Sequence, residues 1–68
     1  MYTISVKTFS GKEVEKSVIE KDYAIFIFKA FMKAMDAEEV IMIDGLTGEV
    51  LYLYTNGKWE IFNGETIF

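Results

Sequence analysis

Residues 23–35 read YAIFIFKAFMKAM, a run in which eleven of thirteen side chains are apolar and only Lys29 and Lys33 interrupt. The flanking residues Ala34, Met35, Asp36, Ala37, Glu38 and Glu39 favour helix, so the run predicts a helix from about Glu20 to Ala37. At about 100° per residue, Asp22, Lys29, Lys33 and Asp36 fall within roughly 60° of one another. That stripe is all the polar surface such a helix has, with Phe26 at one edge and Ile25 at the other. A helix apolar almost all round is normally buried on all sides. One small sheet covers only one side, so a second copy of the chain or a partner protein is expected over the rest.

Working outward, residues 2–9 (YTISVKTF) alternate, Tyr2, Ile4 and Val6 on one face and Thr3, Ser5 and Lys7 on the other. That is the pattern of a half-buried strand. Ser10-Gly11-Lys12 reads as a tight turn, with glycine free to take positive φ. Residues 13–19 (EVEKSVI) admit two readings. They form the return strand of a hairpin, to about Ser17, or Ser17-Val18-Ile19-Glu20 is a capping box that starts the helix. Beyond the helix, residues 40–43 (VIMI), 49–55 (EVLYLYT) and 58–62 (KWEIF) read as strands, with 65–68 (ETIF) as a short addition.

Asp44-Gly45-Leu46-Thr47-Gly48 is a loop, and Asn56-Gly57 and Asn63-Gly64 are two-residue hairpin signals. A two-residue loop at Asn56-Gly57 pairs Thr55 with Lys58, Tyr54 with Trp59, Leu53 with Glu60, Tyr52 with Ile61 and Leu51 with Phe62. Asn63-Gly64 pairs Ile61 with Thr66 and Trp59 with Phe68. One face then shows Val50, Tyr52, Tyr54, Trp59, Ile61 and Phe68; the other shows Leu51, Leu53, Phe62 and Ile67 with Lys58 and Glu60. Both are more apolar than a sheet with one wet side needs. The chain is expected to be one α+β domain over residues 1–68, a helix on an antiparallel sheet in the approximate order ββαβββ.

Composition narrows the chemistry. His, Cys, Arg, Gln and Pro are absent from the 68 residues. The commonest general base, the strongest nucleophile and the usual bidentate phosphate clamp are therefore missing, so no enzyme is expected. No disulfide or thiolate zinc site staples the chain, and a core this small supplies only about 3–5 kcal/mol alone, which favours oligomerisation. Seven Lys against 11 acids give a net charge of −4, which disfavours phosphate backbones and attracts a basic protein, and the helix's polar stripe is too narrow and too weakly basic for a membrane surface. No apolar run approaches the roughly 18 residues that cross a bilayer, and residues 1–4 do not begin a signal peptide. The cytoplasm is the expected location.

Candidate sites are few. Tyr52, Tyr54 and Trp59 resemble a base-stacking platform in residue type, but the positive groove such platforms need is missing, and core or interface is the better reading. Asp44-Gly45-Leu46-Thr47-Gly48-Glu49 lacks the spacing and carboxylates of a calcium loop. No nucleotide, metal or cofactor motif is present. Lys residues interspersed among the acids dilute any imitation of a nucleic-acid backbone. Phe26, Phe28, Phe31, Tyr52, Tyr54 and Trp59 are the candidate interface residues.

The expected function is non-enzymatic binding of a protein surface, in a homodimer or larger assembly. Lys without Arg, with much Ile, Phe, Tyr and Asn, suits an AT-rich genome, and the short chain then suggests a bacteriophage or mobile-element inhibitor of a host protein. A small-ligand sponge, with a pocket at a dimer seam lined by Tyr52, Tyr54 and Trp59, is the alternative. A structural subunit of a larger assembly is a third possibility.

Overall fold

Alternation at the start of the chain and the turn at Ser10-Gly11 produce a hairpin. Strand β1 (Tyr2–Thr8) pairs antiparallel with β2 (Glu13–Val18), Val6 opposite Val14 and Tyr2 opposite Val18. The computed structural model describes residues 1–34 and 36–62. Gly11 takes φ 89°, as the turn requires. Buried Thr8 anchors the turn: its hydroxyl oxygen accepts the Lys12 N–H at 3.0 Å and lies 2.8 Å from the Ser10 hydroxyl.

Of the two readings of residues 13–19, the strand is the one adopted. Ser17 pairs with Thr3 in the ladder, and the helix α1 (Lys21–Ala34) starts only after β2 has ended. Ala24, Ile27 and Phe28 point into the core, while Asp22, Tyr23, Phe26 and Lys33 are exposed. The wet arc is rotated toward Tyr23 compared with the sequence reading, which puts Phe26 near its middle and half-buried Lys29 at its margin. Asp22 in the first turn and Lys33 in the last both complement the helix dipole.

The described helix runs to Ala34, and Ala37, expected at its end, is strand. Strand β3 runs Ala37–Asp44, longer than the expected 40–43, and absorbs Glu38 and Glu39. Helix propensity differs among such residues by only a few tenths of a kcal/mol. Pairing along β1 on one side and β4 (Val50–Thr55) on the other offers backbone hydrogen bonds at both edges of β3. The pairing prevails, and the two acids no longer sit against a helix C-terminus.

The fold is α+β: the described residues form one helix on a five-stranded antiparallel sheet of order β2-β1-β3-β4-β5, where β5 is Lys58–Ile61. Asn56 (φ 47°) and Gly57 (φ 86°) both adopt the positive φ of a type I′ turn. Thr55, Tyr54, Leu53 and Tyr52 pair with Lys58, Trp59, Glu60 and Ile61 as the loop length dictates. The Phe62 N–H donates to the Leu51 carbonyl at 3.0 Å, continuing the ladder. The expected turn at Asn63-Gly64, the strand 65–68 and the placements of Ile67 and Phe68 lie outside the described residues.

One register shift changes the expected faces. Between Met42 and Ile43 the ladder slips, so Met42 opposes Tyr52 while Ile43 opposes Val50, with Leu51 between them. Leu51 and Tyr52, consecutive in the chain, are both buried, as a bulge allows. Val50 is displaced from the Tyr52 face to the side of Ile43, and Leu51 joins the core. Ile4, Val6, Val40, Met42, Tyr52 and Phe28 form the centre of that core under α1.

Candidate functional site

Helix α1 packs over β1, β2 and β3 on one face of the sheet. Among the described residues, no element lies over the other face. Register lays out that helix-free face as three rows across the strands. The outer row is Glu13, Lys7, Glu39, Thr55 and Lys58; the middle row is Glu15, Ser5, Ile41, Leu53 and Glu60. The third is Ser17, Thr3, Ile43 and Val50. Ile41, Ile43, Val50 and Leu53 thus form an aliphatic centre on β3 and β4, each half-buried. Carboxylates and two lysines surround it.

Shallow grooves flank this centre. One of about 240 Å³ is lined by Ser5, Lys7, Glu13, Glu15, Glu39 and Ile41 among others; another of about 330 Å³ is lined by Leu53, Thr55, Asn56, Lys58 and Glu60. Neither is the enclosed apolar cleft that small-molecule sites favour. No group of three or more His, Cys, Asp or Glu among the described residues is arranged to hold a metal ion. No helix among them is long and apolar enough to cross a membrane.

The six residues expected at an interface are not brought together. Phe28 and Tyr52 are both 0 % exposed, their rings in contact at 5.8 Å between centroids and tilted by 46°. They hold helix to sheet and leave the candidate set, because a side chain without accessible surface cannot meet a partner. A seam pocket or stacking platform containing Tyr52 is lost for the same reason. Phe26 is 65 % exposed on the outer side of α1, stacked on Tyr23 at 6.3 Å and 13° between ring planes. Phe31 and Tyr54 are half-buried against the core, and Trp59 is 39 % exposed on β5.

Sequence reasoning identified Leu53, Lys58 and Glu60 as a sheet face with apolar excess, but missed Ile41 and Ile43 as its centre. The signal was present in the unbroken run VIMI. A central strand with apolar residues on both sides loses its alternation, so the inward pair Val40 and Met42 hides the outward pair. No protein-family model, curated protein or solved structure matches the chain.

Proposed function

We propose that the protein acts without catalysis, as a cytoplasmic binder that occupies another protein's surface through the helix-free sheet face. The observation that carries this reading is the aliphatic centre of Ile41, Ile43, Val50 and Leu53 on a face with no described element over it. A solvated antiparallel face ordinarily presents polar residues there. An apolar centre inside a polar rim is the anatomy of protein interfaces. The absence of His, Cys and Arg from the sequence fits stoichiometric binding better than turnover. In a bacteriophage or mobile element, such a chain would inhibit a host protein by covering it.

The test is affinity capture from a bacterial lysate with the wild-type chain and with Leu53→Asp, each first shown to be folded by circular dichroism. The expected result is a protein retained by the wild type and lost by the variant, titrating to a fixed molar ratio that EDTA leaves unchanged. Equal retention by both chains, or multiple turnover of the captured protein, overturns the reading.

A second surface supports self-association. Tyr23 and Phe26 form an exposed stacked pair on the outer side of α1, and large exposed aromatics on a helix favour a second copy. The homodimer is assigned to that side, leaving the sheet face for the partner. Phe26→Asp is expected to shift the mass in light scattering to the 7.8 kDa monomer at micromolar concentration. A wild-type chain already at that mass would remove the dimer.

A further inference from the structure

We propose that the occupant of the helix-free face is a partner's amphipathic helix carrying Lys or Arg on both flanks, an inference that rests on the protein-binding reading. The middle row holds Glu15 on β2 and Glu60 on β5, with Ile41 and Leu53 between them. The residues directly opposite these two carboxylates are Ser5 and Leu53. In the outer row, by contrast, Glu13 and Glu39 both stand opposite Lys7, a cation of their own chain. Among the acids of these rows, Glu15 and Glu60 are therefore the two whose directly opposite residues carry no charge.

Their spacing fits a helix. Strands lie about 4.8 Å apart, so the positions on β2 and β5 are on the order of 19 Å apart across the sheet. A helix with its side chains is about 10–12 Å wide. Seated along the strands over Ile41, Ile43, Val50 and Leu53, midway between β3 and β4, it leaves about 6 Å on the β2 side and about 2 Å on the β5 side. Flexible Lys or Arg side chains bridge those margins to Glu15 on one flank and Glu60 on the other. The opposite face already carries α1, over β1, β2 and β3.

A second copy of the chain fits this face less well. Two such faces packed with aligned strands set the middle rows over each other. With the two-fold axis along β3 or along the middle row, Glu15 and Glu60 then meet carboxylates of the second copy, whereas an axis between β3 and β4 sets Glu60 over Ser5, an arrangement that the oligomeric state tests. A nucleic acid fits worse still, since phosphates would meet the same two acids.

Fluorescence anisotropy with the full chain tests this. The probe is a designed helical peptide with Leu on one face and Lys on both flanks, compared with the same peptide carrying Glu in place of Lys. The Lys peptide is expected to bind one per chain, about ten-fold or more tighter than the Glu peptide, and to weaken with salt. The exposed double substitution Glu15→Lys/Glu60→Lys should reverse the preference without disturbing the fold, and Leu53→Asp should abolish binding of either peptide. Equal binding of the two peptides, no binding of either, or indifference to the double substitution overturns the helix assignment. If lysate capture still depends on Leu53 after such a result, the protein-binding reading stands and only the partner's chemistry is wrong. Self-association that Leu53→Asp abolishes would assign the face to a second copy and also overturn the proposal.

Discussion

Phe28 and Phe26 lie two positions apart on one helix and have opposite roles. Phe28 is fully buried, its ring in contact with that of Tyr52, whereas Phe26 stacks on Tyr23 in solvent. Truncating a buried Phe loses its transfer free energy and leaves a cavity, together about 3–5 kcal/mol. In a domain whose core supplies a similar total, Phe28→Ala is predicted to leave little folded protein at room temperature. Phe26→Ala removes an exposed ring and should cost less than about 1 kcal/mol. Chemical denaturation of the two variants side by side checks the ranking, and a larger loss for Phe26→Ala than for Phe28→Ala would mean that the helix is turned the other way. Glycine matters at a specific site in the loop after β3. A Cβ on Gly45 would lie 2.8 Å from the Met1 carbonyl oxygen, which already accepts the Gly45 N–H at 2.7 Å. The N-terminus is tied to that loop by a contact only glycine permits.

At the scale of elements, the edge strand β2 carries its own protection. Glu13, Glu15 and Lys16 are exposed on a strand whose one neighbour among the described residues is β1. Charges on an edge hinder pairing with another sheet, because joined edges bring like charges together at close range. Replacing all three by Thr is predicted to raise turbidity on storage while the circular dichroism spectrum of fresh protein stays unchanged. A triple variant that remains clear and monodisperse as long as the wild type would show that the edge is guarded by something else. Helix α1 is less polar outside than an isolated surface helix, and among the described residues its inner side, around Ala24, Ile27 and Phe28, is the part that is buried. Its outer side is where association is expected to act.

For the whole molecule, stability and assembly are linked. A chain of 68 residues without Cys has no covalent staple, and ligands or subunits that bind only the native state raise its apparent stability by mass action. If the Tyr23–Phe26 side forms a dimer, the melting temperature should climb as protein concentration rises, and Phe26→Asp should flatten that dependence. A transition independent of concentration in the wild type would contradict the dimer.

Local rules read from the sequence determined much of this architecture. The alternation of residues 2–8, the long apolar run at 23–34 and Asn56-Gly57 specify strand, helix and hairpin register, because each depends on neighbours a few residues away. The apolar excess of the sheet was also legible, since a two-residue loop fixes which residues share a face. Three things were decided only in the folded chain. Residues 37–39 became strand because β1 and β4 supply hydrogen-bond partners from distant parts of the sequence. The slip beside Met42 buried Leu51 and turned Val50 outward, a choice that no pattern within β4 encodes. Phe28 and Tyr52 became core while Ile41 and Leu53 became surface, because apolar residues look alike in sequence and only the helix's position decides which face it covers.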